Sequence, residues 1–563
     1  MRLKCIKLFP LFYVIFLWWI PADAQFMQEN TTDICIYGAT SGGIASAIQA
    51  SRLGQKVLLI EPSEHIGGIT TGGLQWTDFG KEGVVGGLSE EFYKRVTDYY
   101  KTAAAWKVND PFKNKLLNSK TKFIKSFEPH VADSVFESML KEAGIKVITG
   151  KRLDRKNGIK KEGSVIKEIS FESGEKVAAK IFIDATYEGD LMALAGVSYT
   201  FGRESKDTYD EDLAGVMRTD NLPSFIPKRS FNKVDYYIVG ADTMPYSYVN
   251  PYDSDGKLLY GIQDVPLDKP GTGDKKIQAY GVRVVLTTDP NNRIPITRPS
   301  DYDSTKYELL IRYIDAHKLK NIRQIFYKID PVPNLKTDIN DGCPFSTDHI
   351  GFNWDYPDAS YERREEILKD HHSFTKGLIY FAGHDPRVPP EIRNEVLKYG
   401  YPKDEYVDNN NWTTEVYIRE SRRMVGEYVM TQKDIQQNTS KAHSIGLGSY
   451  TLDSHHVQRL VDKDGNVINE GNLKGKVDAY EIPYEALLPK KNECSNLLVT
   501  FCLSSSHVAY GSIRMEPVFM VLGQSAATIA CLALKLGVTM YNLNYELIKE
   551  QLIRDNQKFK IDK

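Results

Sequence analysis

The chain has 563 residues, 41% hydrophobic and 26% charged, with a formal net charge of -2. That length exceeds what one hydrophobic core usually supports, and the ordinary composition excludes extensive disorder. With no dense Lys/Arg run, nothing marks the protein as a nucleic-acid binder.

Arg2, Lys4 and Lys7, the apolar stretch from Leu8 to Ile20, and Ala22-Asp23-Ala24 read as a signal peptide over residues 1–24. The apolar stretch is short for a membrane span and no later segment reads as one. The expectation is an exported protein, periplasmic or secreted, with no membrane span after cleavage. Arg2 stands alone, so a twin-arginine signal is missing and any cofactor is acquired after translocation. Cys35, Cys343, Cys494, Cys502 and Cys531 are scattered through mostly apolar patterns, which predicts buried thiols rather than a disulfide framework or a metal site.

A strand from Ile34 to Tyr37, a small-residue helix from Gly42 to Leu53 and a strand from Val57 to Ile60 form a βαβ pattern. The turn inside it carries Gly38, Thr40, Ser41, Gly42 and Gly43. Such a turn lets backbone approach a pyrophosphate and aims the helix N-terminus at it. Gly38 supplies the tight turn and Gly43 close helix–strand packing, while Thr40 stands at the usual second glycine. Glu61 ends the second strand, placed to accept from ribose hydroxyls. NAD and FAD both satisfy this pattern. The pairs Gly67-Gly68 and Gly72-Gly73 expose bare backbone along a longer cofactor and favour FAD.

Further on, helices are predicted over Leu88 to Tyr100 and Val131 to Ala143, then a strand over Ile145 to Thr149. A meander follows over Val165 to Ile183 and ends at Asp184-Ala185-Thr186. Residues 31–200 are the first part of an FAD-binding domain. Residues 201–441, rich in Tyr, Pro, Asp and Asn, read as a large α+β substrate-side insertion. Its strand is expected over Ala279 to Thr287, with helices near Tyr307 to Lys318, Tyr361 to Lys369 and Glu415 to Thr431. Residues 442–545 return to the first domain through a strand at Leu497 to Phe501 and a helix at Val518 to Leu536. Gly523, Ala526, Ala527 and Ala530 line one face of that helix, and Pro517 opens it. Its N-terminus is placed to support negative charge on a reduced flavin.

Tyr37 to Gly43 with Glu61, Glu128-Pro129-His130-Val131, Asp184 to Asp190, Tyr417 to Met424, Ile482-Pro483-Tyr484 and Ser506 to Ala527 occur in one order along the chain. In these stretches the sequence resembles the FAD-dependent oxidoreductase family of exported bacterial proteins, within the glutathione-reductase-like FAD superfamily. The resemblance implies an α/β glutathione-reductase-like FAD/NAD(P)-binding Rossmann fold and redox chemistry on FAD. It also implies that Gly38, Gly43 and Glu61 bind the ADP half, and that the Asp184-Ala185-Thr186 motif and the Gly523-Gln524 region close over the cofactor. Some members carry the label xanthan lyase, and nothing in this sequence supports lyase chemistry.

Flavin hydride chemistry asks the protein for a base and for electrostatic support of the ring. His507 is the first choice as base, and Arg514 is placed to hold a substrate carboxylate or a flavin carbonyl. Tyr450, Asp453, His455 and His456 form a polar cluster assigned to substrate contact. A single loop lacks a full metal-ligand set, so no metal is expected. Arg419, Arg422 and Arg423 are placed on a helix, where Arg419 shares a face with Arg422 or Arg423, for an anionic substrate, the FAD phosphates or a salt-bridged surface. His65 and His130 lie near the cofactor stretches, and neither is expected to attach it covalently. Neither G-x-S-x-G nor C-x-x-C occurs. The reading is an FAD-dependent dehydrogenase or oxidase that takes a hydride from a small polar substrate to flavin N5, with sugars and polyols favoured. The alternative is a carbohydrate-active lyase or a non-catalytic binding protein on the same fold. Nothing in the sequence sets an oligomeric state.

Overall fold

A computed structural model describes residues 31–217, 249–340, 344–437, 440–462, 465 and 467–560. The signal-peptide reading over residues 1–24 and Cys343 lie outside the described residues.

The first strand, β1 (Thr31–Tyr37), ends in the apolar run Ile34-Cys35-Ile36-Tyr37, buried throughout, as a central parallel strand requires. It leads through the glycine turn into α1 (Ser41–Arg52), which returns to β2 (Val57–Ile60). Next come α2 (Gly87–Tyr100), α3 (Pro129–Glu142) and β3 (Val147–Ile148). The meander is β4 (Ile159–Glu162), β5 (Val165–Ser170) and β6 (Lys176–Asp184). These strands lie in the order β3-β2-β1-β6-β5-β4, with β1, β2, β3 and β6 parallel and the meander pairs antiparallel.

Antiparallel strands of a second sheet come from the middle of the chain: β7 (Val284–Thr287), β8 (Arg293–Pro295), β9 (Lys328–Val332), β10 (Lys336–Asn340) and β11 (Gly400–Pro402), in the order β9-β10-β7-β11-β8. It has its own apolar core, shared with the helices Glu308–His317 and Tyr361–His384. The latter helix runs well beyond the expected Lys369, because Phe374, Leu378 and Phe381 continue its buried stripe.

The strand β12 (Leu497–Val499) then adds to the first sheet, parallel to β6, with Leu497 opposite Phe182. A short helix, α4 (His507–Ile513), precedes the long α5 (Glu516–Leu536). This last helix is long and apolar enough to cross a membrane, yet 89% of its most apolar window is buried inside the protein. It is a core helix. Its small residues press on α1: a Cβ on Gly523 would collide with the Gly42 carbonyl.

One expected helix does not form. Residues 415–431 are extended or turning, with Arg423–Met424 paired antiparallel to Tyr199–Thr200. Arg419, Arg422 and Arg423 are buried, and each reaches carboxylates on different parts of the chain. One helical face could not send three guanidiniums to such separate partners, so tertiary contacts override local propensity.

Candidate active site

At the glycine turn, Gly38 has a φ of +102°, and a Cβ there would lie 2.7 Å from the backbone of Ala185. Gly43 has no room for a side chain either, because a Cβ would meet the Gly38 carbonyl. Thr40 is different. Its backbone is extended at φ -67°, so no glycine is needed there. Its hydroxyl accepts from the Gly43 amide at 3.3 Å, capping α1, and donates to the Ala185 carbonyl at 2.7 Å. That double use explains a threonine at the second-glycine position.

Glu61, at the end of β2, accepts from the Ala39 amide at 2.7 Å and from the Ser63 amide and hydroxyl at 2.9 and 2.8 Å. Burial pushes its carboxyl up to about 7 against these donors. Gly67 and Gly68 have φ of +88° and +55°, and the Gly67 amide donates to the Ala39 carbonyl at 2.7 Å. The Gly72 carbonyl accepts from the Thr413 hydroxyl and, at 3.0 Å, from the Glu415 amide. Gly73 packs on Ile69 and Thr413, where a Cβ would come within 3.1 Å. A helix start for a pyrophosphate, a carboxyl one turn away for a ribose diol, and a bare loop alongside make a donor and acceptor set that fits FAD.

Other expected cofactor contacts frame this cradle instead. Asp184 accepts from the Thr186 amide and hydroxyl at 3.0 and 2.7 Å and from the Met192 amide at 2.8 Å, closing the turn after β6. Burial pushes it up to about 6. Ala185 contributes backbone to the turn, and Gly523 sits in the α1–α5 seam. Gln524 accepts from the Leu88 amide at 2.7 Å, tying α5 to α2. At the start of α5, buried Glu516 accepts from Ser41 at 2.5 Å, Thr70 at 2.7 Å and Tyr187 at 3.0 Å. This acid complements the helix dipole and joins the helix to the turn.

His65 pairs with the Thr71 hydroxyl at 2.8 Å, and His130 with Glu405 at 2.8 Å. The Glu128–His130–Glu405 group has metal-like spacing, but the Lys336 ammonium sits 2.8 Å from Glu128, 2.5 Å from Glu405 and 2.8 Å from Asp404. A cation is already built into that cluster.

Beyond the loop, residues far apart in sequence meet in one polar network. Nδ1 of His507 lies 2.9 Å from Glu420, and Nε2 lies 3.3 Å from the Ser454 hydroxyl. Glu420 also accepts from Gln278 at 2.9 Å, and Gln278 accepts from the His455 amide at 3.1 Å. Burial alone would raise Glu420, but His507 and Arg423 hold it low. His455 pairs through Nδ1 with Asp348 at 2.5 Å. Burial and Arg419 push its imidazole below the usual value against the pull of Asp348. Arg514 donates to the Asp453 carbonyl at 2.7 Å and the Tyr417 hydroxyl at 3.3 Å. Tyr417 packs with Ile69 and Leu74 of the glycine-rich loop. Tyr450 stays outside these hydrogen bonds: its carbonyl accepts from Ser512 at 2.5 Å, Ser512 pairs in turn with Tyr480 at 2.9 Å, and burial drives the Tyr450 phenol well up.

The network therefore joins His507 and His455, with Arg514 bonded to Asp453 and Tyr417 and Tyr450 to Ser512, and it reverses the preference between the two histidines. His507 has both ring nitrogens engaged and 4% of its side chain exposed, whereas His455 has Nδ1 on a carboxylate and 14% exposed. Asp348, Gln278 and Glu420 were not among the expected site residues. Only Glu420 lay within a recognised stretch, Tyr417 to Met424; no spacing rule ties Asp348 to His455.

The profile of the family described as "FAD dependent oxidoreductase" matches residues 33–552. No curated protein matches the chain. Among solved structures, L-proline dehydrogenase from P. horikoshii is 19% identical, with 31% of this chain and 59% of that one covered and a TM-score of 0.23. L-amino acid deaminase from Proteus vulgaris is 16% identical, covering 31% and 53%, TM-score 0.21. Thioredoxin reductase from T. acidophilum is 16% identical, covering 28% and 35%, TM-score 0.16. The chain thus spans less than two thirds of each of these. With a Rossmann-type core and a profile match over nearly its whole length, the chain belongs to the FAD dependent oxidoreductase family and is an enzyme with FAD as its cofactor.

Proposed function

We propose that the protein is an exported dehydrogenase or oxidase that removes a hydride from a carbon bearing a hydroxyl on a small polar substrate, a sugar or polyol. The observation that carries the reading is the Asp348–His455 pair, placed beside Arg514 and the loop-packed Tyr417. When bound, FAD supplies the hydride acceptor. Gly38, Gly43 and Glu61 would hold its ADP half, with the Gly67 to Gly73 loop along the rest.

The chain's own part is proton handling and orientation. Asp348 fixes the His455 tautomer with the proton on Nδ1, which leaves Nε2 to take the substrate hydroxyl proton. Arg514, fixed by Asp453 and Tyr417, presents positive charge beside the reacting region. Tyr450, Tyr417 and the Gln278–Glu420–His507 network hold these groups in place. The signal-like N-terminus and the tyrosine-rich insertion support an extracytoplasmic carbohydrate substrate.

Purified holoenzyme mixed anaerobically with a panel of sugars, polyols, amines and hydroxy acids tests this. Bleaching of the flavin by a hydroxylated substrate, slowed in His455→Ala with FAD retained, is expected. A colourless protein that takes up no FAD, or unchanged bleaching in His455→Ala, would sink it.

A further inference from the structure

Arg419 is buried, and its guanidinium is used on one side only. Nη1 donates to the Ala279 carbonyl at 2.9 Å. Nε and Nη2, which form the opposite edge of the fork, make no hydrogen bond among the described residues. Nη2 lies 3.1 Å from Asp348 Oδ1, an ion-pair distance, yet that oxygen makes no hydrogen bond either. Gly281 lets Asp348 approach this closely, since a Cβ there would run into Asp348 Oδ1. Folded proteins leave few buried donors unpaired, and here Nε has no partner among the described residues while Nη2 has only its ion pair with Asp348.

The surroundings say what completes it. The Arg419 guanidinium stands 4.7 Å from the centre of the Tyr417 ring, and that of Arg514 stands 5.8 Å from the same ring. Two cations therefore stand over one tyrosine ring, and one of them, Arg419, shares Asp348 with His455. Asp348 offsets the charge of Arg419, while the nearest carboxylate to Arg514, that of Asp453, is 3.9 Å away. The Nε/Nη2 edge matches the two oxygens of a carboxylate.

We infer that the Nε/Nη2 edge of Arg419 anchors a substrate carboxylate, so that the substrate class is a polyhydroxylated carboxylic acid, a sugar acid, rather than a neutral sugar or polyol. This rests on the proposed function, whose hydroxyl chemistry it keeps and whose substrate it narrows.

D-gluconate and D-sorbitol have the same chain length and differ in the terminal carboxylate, so they serve as probes. Each is titrated into the holoenzyme, with binding read from tryptophan fluorescence and anaerobic reduction from flavin absorbance. Gluconate should bind at least tenfold more tightly than sorbitol. Arg419→Lys, which keeps the charge and loses the fork, should weaken gluconate at least tenfold while FAD content and sorbitol binding stay unchanged. Asp348→Asn removes a competing anion and should tighten gluconate. Equal binding of the two probes overturns the inference, as does an Arg419→Lys protein that loses FAD instead of gluconate. If Arg419→Lys does not fold, the Asp348→Asn arm decides, and no gain in gluconate affinity overturns it. Carboxylate-selective binding by a protein without FAD sustains the anchor and removes the redox reading.

Discussion

In the dinucleotide turn, Gly38, Ala39, Thr40 and Gly43 are neighbours in sequence and hold one another through backbone groups, with the Ala185 carbonyl and Glu61 as outside partners. In the polar network, His455, Asp348, Gln278, Glu420 and His507 come from five separate stretches and meet only through side chains and single amides. The turn is sensitive to added volume and indifferent to a side chain that finds its own partners, as Thr40 does. The network is sensitive to the loss of any one charge, because each removed partner leaves another buried without compensation.

Substitutions can break or sharpen that contrast. The largest effect is expected from Glu420→Ala, which leaves His507 and Arg423 without their shared carboxylate; thermal unfolding should show a loss of about 3–5 kcal/mol. His455→Ala should slow anaerobic flavin reduction about 100-fold, equivalent to about 2.7 kcal/mol, with FAD retained. His507→Ala should instead lower the melting temperature and leave the reduction rate per bound flavin nearly unchanged. The reverse pattern would restore His507 as the base. The rate should hold as pH falls through the ordinary imidazole value of 6.5 and decline only below it, since His455 is depressed in the fold. An acid limb at or above 6.5 would count against His455.

Gly43→Ala should cost about 1–3 kcal/mol through the collision with the Gly38 carbonyl, whereas Thr40→Gly should cost only about 0.3 kcal/mol. Equal effects would dissolve the contrast. Glu61 adds a pH dependence of its own. Its folded value, about 7, is above the unfolded 4.5, so its contribution to apoprotein stability is present below pH 4.5 and lost as pH rises through 7. Glu61→Gln should flatten that slope, seen as melting temperature against pH, and should weaken FAD binding about tenfold by loss of the ribose acceptor. Unchanged FAD affinity would remove that role.

Much of the cofactor half was legible before any coordinates. The turn, the acid at the end of β2 and the return strand all sit where their local patterns place them, because a tight turn, a buried strand and a helix start impose requirements on adjacent residues. Gly523 and Gln524 were readable as special, yet their work is helix packing, which a stripe of small residues marks more often than a ligand does. The Arg419 to Arg423 segment misled as a helix because three buried arginines leave no local trace of the carboxylates they reach.

By itself the sequence determined the glycine turn from Gly38 to Gly43 and its place between a strand and a helix, since those demands are met within a few bonds of one another. Only the tertiary structure decided which histidine keeps a ring nitrogen without a hydrogen bond among the described residues, and which arginine keeps an unpartnered Nε there. Burial and pairing there are settled between segments that no spacing rule connects, as where Asp348 meets His455 across 107 residues of chain.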